Sequence, residues 1–224
     1  MKHIDIVIPT RNRYEKLMRT LESISNNSRI YTQIIVDGET NTLNKINANL
    51  EEINKKGLVF SVIHEPLNKG AVYCRNSIIK GCKDGVLYAT DDIIFEPKSI
   101  ENAFDAFNVR FPDDDGVVGF VITKIPNYHV AGVALVGKKF LDRYPDRELF
   151  YPGYFHFSCQ EVYWLASKYG KFHQEKTAVV QHYHPSFHKE EMDGTHAEAR
   201  IHRKKDHALI YDRQSKGLIW GDAQ

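Results

Sequence analysis

The chain has 224 residues, 42% of them hydrophobic and 12% aromatic, which is typical of one folded domain with a sizeable core. Its 30 basic and 29 acidic residues give a formal net charge of +1, so no overall field indicates nucleic acid or a membrane as a partner. No apolar run approaches the ~20 residues that span a bilayer. Three cysteines without zinc spacing or a secretory leader predict a cytoplasmic protein.

The first hundred residues alternate between short apolar runs and amphipathic segments. Strands are predicted at residues 4–8, 34–36, 59–63 and 86–88, and helices at residues 14–24, 41–56 and 71–82. Turn residues end the strands, since Pro9 follows the first and Asp37 the second. Strands that alternate with helices predict a mostly parallel sheet with right-handed crossovers and flanking helices.

Two adjacent carboxylates, Asp91 and Asp92, follow the fourth strand. Open α/β sheets bind ligands at the carboxyl ends of their strands, and neighbouring carboxylates repel each other unless a cation lies between them. Mg²⁺ is usually held by one or two carboxylates together with phosphate oxygens. The pair therefore predicts a divalent metal that carries a phosphorylated substrate. The alternative is a polar turn before Ile93.

The second half continues with further strands and helices. Helices are predicted at residues 99–107, 138–144 and 159–170, strands at residues 117–122, 130–136 and 177–185, and an aromatic loop at residues 150–157. The acidic run at residues 113–115 is a rival metal site, but its place between a helix and a strand favours a solvated loop.

Two features close the chain. The strand at residues 177–185 ends with His182 and His184, which the period of two places on one face. The tail, residues 188–224, includes a basic run at residues 200–205, which suits a lid over a ligand, a dimer contact or a basic acceptor patch. A solvated helical face is the simplest interpretation of these charges.

Four motifs carry a family resemblance: IDIVIPTRNR, QIIVDGET, NKGAVYCRNSIIKG and GVLYATDDIIFEP. In order and spacing they resemble the nucleotide-sugar half of the family 2 glycosyltransferases of GT-A fold. The resemblance implies a Rossmann-like α/β fold in one compact domain, with a nucleotide-sugar half at about residues 1–116 and an acceptor half at about residues 117–224. It implies transfer of a sugar from a nucleoside diphosphate sugar to a hydroxyl, in polysaccharide or glycan synthesis.

The resemblance also assigns site residues. The donor pocket would be formed by Pro9, Thr10, Arg11, Asp37, Asn68, Lys69, Gly70, Arg75 and Asp91. Asp91 and Asp92 would share the ribose and metal contacts, and His182 or else His184 would complete the coordination of the metal. Mixed carboxylate and imidazole ligands favour Mn²⁺ over Mg²⁺. Family habit favours UDP as the carrier, with GDP and dTDP as alternatives.

The sequence departs from the family pattern at two positions. Ala89 replaces the first acid of the usual DXD-type motif, although the spore-coat polysaccharide member of the family resembles this Ala-Thr-Asp-Asp form. Only one acid, Asp37, precedes Gly38, where the family usually has two.

Glu161 falls at the position of the family's catalytic base, at the start of a helix. A carboxylate there would deprotonate the attacking hydroxyl, and direct attack would invert the anomeric centre. The alternative is an acid favoured by the helix dipole.

Three other functions remain open. In the first, the chain is a glycosyltransferase whose acceptor is a modified nucleic-acid base, and residues 200–205 contact the phosphates of the nucleic acid. In another, the chain binds the nucleotide sugar without turnover. The third is a nucleotidyltransferase, which lacks support because no glycine-rich loop follows the first strand.

Overall fold

The structure, a computed structural model, describes residues 1–24, 29–123, 131–156, 159–185 and 191–222. The strands are β1 (Ile4–Thr10), β2 (Ile30–Asp37), β3 (Phe60–Glu65), β4 (Gly85–Tyr88), β5 (Ile93–Phe95), β6 (Val117–Ile122), β7 (Ala134–Val136) and β8 (Phe172–His182). The helices are α1 (Tyr14–Glu22), α2 (Asn41–Ala48), α3 (Leu50–Lys55), α4 (Ala71–Ile79), α5 (Ser99–Arg110), α6 (Lys138–Leu141), α7 (Cys159–Lys168) and α8 (Gly194–Ser215). None of these helices is long and apolar enough to cross a bilayer.

The strands form one sheet in the order β3-β2-β1-β4-β7-β6-β8-β5. The first four are parallel to one another, and β6 is parallel to β8. The β4–β7, β7–β6 and β8–β5 pairs are antiparallel. The expected α/β sheet is therefore confirmed, and β4 lies where its parallel half meets a half of mixed strand directions.

Both faces of the sheet are buried. Along β1, Ile4, Ile6 and Ile8 pack into one core, whereas Val7 packs into the core on the opposite face. Helices α1, α2, α3 and α5 contribute apolar side chains to the first core, and α4, α6, α7 and α8 contribute to the second. Because a sheet covered on both faces has no polar side, its strands are continuous apolar runs.

Several boundaries differ from the predictions. The apolar residues after the acid pair form a separate strand, β5, because Ile93 pairs with His182 at the far edge of the sheet. The helix predicted at residues 41–56 is divided at Asn49, whose side-chain amide donates to the carbonyl of Lys45 at 2.7 Å and so competes with continued helix. The last strand begins at Phe172 and ends at His182, which leaves His184 beyond it.

Other predicted segments are shorter, longer or incomplete. The predicted 99–107 helix extends to Arg110, and the predicted 138–144 helix ends at Leu141. Val130 and Phe157, at the edges of a predicted strand and loop, lie outside the described residues.

The C-terminal helix α8 packs against the body of the protein. The side chain of Asp193 caps its N-terminus by accepting the backbone N–H of His196 at 2.8 Å. The inner side of the helix buries His196, Asp206 and Ile210. The predicted solvated face is therefore only the outer side of a docked helix.

Candidate active site at the carboxyl ends of the strands

A cavity of about 240 Å³ opens beside the ends of β1, β2 and β4. The predicted site residues that line it are Pro9, Thr10, Arg11, Asp37, Asn68, Gly70, Arg75, Asp91, Asp92, His182 and His184. Lys69 and Glu161 do not line it. The fold thus brings eleven residues from six separate segments to one cavity.

Asp91 and Asp92 form the acidic floor of this cavity and are 4% and 5% exposed. Thr10, the last residue of β1, donates its hydroxyl to Asp91 Oδ2 at 2.8 Å. Thr90 donates to Asp92 Oδ1 at 2.5 Å. Each carboxylate is therefore held by a neutral donor at a strand end.

Arg13 supplies the cation that the acid pair requires. Its Nη1 lies 3.0 Å from Asp91 Oδ1 and 3.4 Å from Asp92 Oδ2. Its Nε and Nη2 donate to the two oxygens of Asp193, both at 2.9 Å. Burial opposes the charge on Arg13, but the three carboxylates outweigh burial and raise the pKa of the guanidinium. Arg13 thereby joins the acid pair to the start of α8.

Histidines surround the second carboxylate of the pair. His182 Nε2 lies 3.2 Å from Asp92 Oδ1, and His196 Nε2 lies 3.5 Å from Asp92 Oδ2. Burial opposes ionisation, but His182, His196 and Arg13 hold the pKa of Asp92 well below its usual range. The ring of His184 lies 5.4 Å from that of His182 and 4.7 Å from that of His196. Of the two predicted histidines, His182 is therefore the one that contacts the Asp92 carboxylate directly.

The donors around Asp92 match a divalent cation in kind, since Mn²⁺ accepts both carboxylate and imidazole. No group of three or more His, Cys, Asp or Glu in the described ranges is arranged as a metal site. The cation that contacts both carboxylates here is Arg13. A metal bound to this donor set would therefore share the carboxylates with Arg13 or displace it.

Asp37 fixes the loop before α4. Its two carboxylate oxygens accept the backbone N–H groups of Lys69 at 2.8 Å and Gly70 at 3.0 Å. Gly70 has φ +86°, and a Cβ at this position would lie 2.5 Å from the carbonyl oxygen of Phe155. The Lys69 side chain instead has its Nζ 5.6 Å from the ring centre of Tyr73. Lys69 thus contributes its backbone to this loop.

The first turns of α8 form another wall of the cavity. Arg11 Nε lies 3.2 Å from Glu198 Oε2, and Asn68 donates to Glu198 Oε1 at 2.5 Å. Thr195 donates its hydroxyl to the carbonyl of Arg11 at 2.8 Å. Helix α8 therefore bridges both loops of the predicted donor pocket.

The aromatic loop is attached to the middle of α8. The carboxylate of Asp206 accepts the backbone N–H groups of Phe155 at 3.0 Å and His156 at 2.8 Å. The Phe155 ring stacks on His202 with ring centres 3.6 Å apart. The loop and α8 are therefore held as one wall of the cavity.

Glu161, the predicted base, lies in a buried cluster away from the cavity. Arg213 donates to its oxygens at 2.8 and 3.0 Å, and Tyr154 and the backbone of Trp220 also donate to it. A carboxylate has about four lone-pair sites, and these four donors occupy them, so its oxygens do not face an acceptor hydroxyl in this structure. Its role as a base stays a prediction that requires release from Arg213 and Tyr154.

The carboxylates of the rival acidic cluster, residues 113–115, form ion pairs with basic groups of the protein. Arg143 donates to both oxygens of Asp115, and Lys171 lies 3.2 Å from the same carboxylate. Asp113 and Asp114 pair with Lys139 and with the terminal amine of Met1. The run is a loop, as expected, but Asp115 is only 3% exposed, because its charge is balanced by the protein.

Arg13, Asp193 and His196 are the site residues that sequence analysis missed. Arg13 is the last residue of the first motif, so its position just beyond the strand end was a usable signal. Asp193 and His196 belong to a charged tail without any motif. Their role depends on the docking of α8, which short-range patterns do not encode.

The described half-parallel sheet, with paired carboxylates after its central strand, defines a GT-A type fold. The sequence model described as Glycosyl transferase family 2 matches residues 5–167, well over half of the chain. The chain therefore belongs to glycosyl transferase family 2. No curated protein matches it significantly in sequence.

Solved structures share this fold. The mannosyltransferase PcManGT from Pyrobaculum calidifontis, in complex with GDP-Man and Mn²⁺, has a TM-score of 0.68 at 15% identity, over 99% of this chain and 65% of that one. GalNAc-T7 with UDP, GalNAc and Mn²⁺ has a TM-score of 0.65 at 13% identity, over 81% of this chain and 44% of that one. The chain thus spans about two thirds or less of either protein, and the likeness concerns the fold.

Proposed function

We propose that the chain transfers a sugar from a nucleoside diphosphate sugar to an acceptor hydroxyl. The observation that carries this proposal is the convergence of the family's motif residues on one cavity with a buried carboxylate pair. In this proposal, residues 1–116 bind the nucleotide and residues 117–224 supply the acceptor side. UDP is the first carrier to test and GDP the second, because the two structural neighbours contain UDP and GDP-Man.

The nucleotide would bind between the loops at the ends of β1 and β2. Pro9, Thr10 and Arg11 would face the base and ribose, and Asp37, Asn68 and the 68–70 backbone would complete the pocket. Glu198 of α8, which contacts both Arg11 and Asn68, would hold this pocket closed. Family membership and the common cavity support these assignments.

Asp92, Asp91 and His182, with His184 as an alternative, would hold Mn²⁺ or Mg²⁺. The bound ion would neutralise negative charge on the departing diphosphate. Thr90 and His196 would orient the Asp92 carboxylate, which both contact in this structure.

The acceptor oxygen would attack the anomeric carbon as the bond to the diphosphate breaks, and the hydroxyl proton would pass to a base. Attack from the face opposite the leaving group would invert the anomeric centre. Glu161 is the family's expected base, and release of its carboxylate from Arg213 would be necessary for that role. A product with the donor's anomeric configuration would contradict inversion.

Donor hydrolysis and donor binding test the proposal. A panel of UDP-, GDP- and dTDP-sugars with Mn²⁺ is assayed for nucleotide release and titrated by calorimetry, with and without a chelator. The wild type should bind one donor in a metal-dependent manner. Asp92→Ala should lose that binding, whereas Asp113→Ala, in the rival cluster, should keep it.

Three outcomes separate the alternatives. Metal-dependent release of nucleotide from one donor supports a transferase. Binding without release, even with candidate acceptors, supports a non-catalytic module. The absence of metal-dependent binding across the panel would overturn the donor site.

A second candidate acceptor is a hydroxyl on a modified nucleic-acid base. Arg200 and Arg203 line the cavity, and Lys204 and Lys205 are exposed on the adjoining surface of α8. Phosphate contacts by these side chains would make DNA binding fall steeply with salt. A DNA affinity that does not change with salt would exclude this acceptor.

A further inference from the structure

Arg75 is a buried cation that lines the cavity without a carboxylate partner. The residue is 8% exposed, and its Nη2 donates to the backbone carbonyl of Ala89 at 3.0 Å. Its Nε is buried and has no hydrogen-bond partner. Among the described residues it forms no ion pair, unlike Arg13 and Arg11, which line the same cavity and are both paired.

An uncompensated buried charge is costly, and an arginine does not relieve the cost by losing its proton. Burial lowers the pKa of Arg75, and the charge of Asp91, which acts in the opposite direction without forming an ion pair with Arg75, does not outweigh burial. A ligand in the cavity would therefore supply the missing negative charge. The planar guanidinium fits carboxylate and phosphate groups best.

Part of the surroundings of Arg75 belongs to the second half of the chain. The guanidinium carbon lies 5.6 Å from the ring centre of Phe150. Burial raises the pKa of the Cys159 thiol, and the charge of Arg75 opposes this increase. Burial and, to a smaller extent, the charge of Arg75 lower the pKa of His156 to about 4. His156 is thus uncharged near neutral pH, and Arg75 carries the positive charge at this end of the cavity.

We propose that Arg75 binds an oxyanion, a carboxylate or a phosphate, that belongs to the transferred sugar or to the acceptor. This inference rests on the proposed function and adds that either the transferred sugar or the acceptor is negatively charged. The family resemblance assigns Arg75 instead to the base or the pyrophosphate, and these two assignments predict different binding data.

The first experiment compares donors that differ in one carboxylate. UDP-glucose is paired with UDP-glucuronate, and GDP-mannose with GDP-mannuronate, with UDP and GDP alone as references, all titrated by calorimetry in Mn²⁺. If the sugar carries the anion, the wild type should bind the carboxylate member of one pair about tenfold or more tightly than its neutral partner. Arg75→Gln should remove this preference and leave the affinity for UDP and GDP unchanged.

The second experiment tests the acceptor as the source. The protein is saturated with UDP or GDP and titrated with glucose, glucuronate and glucose 6-phosphate. A preference for an anionic sugar that appears only here, and is lost in Arg75→Gln, assigns the anion to the acceptor. Arg110→Gln, which removes an exposed arginine at the end of α5 that does not line the cavity, should leave the affinities for neutral and anionic ligands unchanged.

Two results would overturn the inference while the proposed function stands. One is equal affinity of the wild type for neutral and anionic members in both experiments, a result that does not depend on how any variant folds. The other is an Arg75→Gln protein, folded by circular dichroism, that loses affinity for bare UDP or GDP as much as for any sugar. If the wild type binds no nucleotide at all, the proposed function fails, and the inference fails with it.

Discussion

His156 is a buried imidazole whose surroundings oppose its protonation. Burial and the charge of Arg75 lower its pKa from 6.5 to about 4, although Asp206 and Asp92 act in the other direction. An unfolded chain binds a proton at this histidine near pH 6.5, whereas the folded protein does so only near pH 4. The contribution of His156 to stability is therefore complete above pH 6.5 and is lost as the pH falls toward 4.

The prediction for His156→Gln follows from this difference. Between pH 7 and pH 5 the wild type should lose up to about 2 kcal/mol more of its free energy of unfolding than the variant does. Urea denaturation at the two pH values, followed by circular dichroism, measures the difference. Parallel pH profiles for the two proteins would show that His156 is not protonated on unfolding in this range.

At the scale of single elements, the start of helix α8 depends on the carboxylate of Asp193, which pairs with Arg13, Lys16 and His196. Asp193 both caps the helix and binds Arg13 through two oxygens. Asparagine also caps helices well, so Asp193→Asn removes the charge but keeps the cap. This substitution therefore isolates the contribution of the charge of Asp193 from that of the cap.

Asp193→Asn should loosen the first turns of α8. Because Asp193 is 30% exposed, we expect a loss of about 1 kcal/mol, which corresponds to roughly fivefold faster amide exchange at residues 197–200. Hydrogen exchange followed by mass spectrometry gives the rates. Asp212→Asn, which removes an exposed pair with Lys216 at the other end of the helix, is the matched control. Equal amide exchange rates at residues 197–200 in all three proteins would show that the charge of Asp193 does not stabilise the start of α8.

The sequence was most informative where local patterns coincide with burial. Continuous apolar runs predicted β1, β2 and β4 because both faces of the sheet are covered, and Asp91 and Asp92 stood out because they follow such a run. The strand pairing of Ile93 with His182 and the contact of Arg13 with Asp193 join residues 89 and 180 positions apart, and no local periodicity encodes them. Glu161 shows the same limit, since its sequence position matches the family while its contacts depend on Arg213 and Trp220.

At the scale of the whole molecule, Glu161 attaches the C-terminal segment to the rest of the fold. Its carboxylate is 3% exposed and binds Arg213 at the end of α8 and the backbone of Trp220 beyond it. Removal of one partner from a buried ion pair leaves the other charge uncompensated. The stability of the entire protein should therefore depend on this residue.

Glu161→Gln should lower the free energy of unfolding by about 3 kcal/mol, as measured by urea denaturation. Lys216→Gln, in an exposed pair, should change it by less than about 0.5 kcal/mol. A Glu161→Gln protein of normal stability that loses turnover by about 10²-fold or more would instead support the family's assignment of a catalytic base.

The contacts of α8 also set the order in which the site forms during synthesis. The strands that carry the acid pair leave the ribosome long before Asp193 does. At about 5–20 residues per second, the roughly 100 residues between Asp92 and Asp193 take on the order of 5–20 s to emerge. For that interval the nascent chain exposes its carboxylates and the apolar face that α8 later covers. Chaperone contact with the growing chain would be concentrated in this interval.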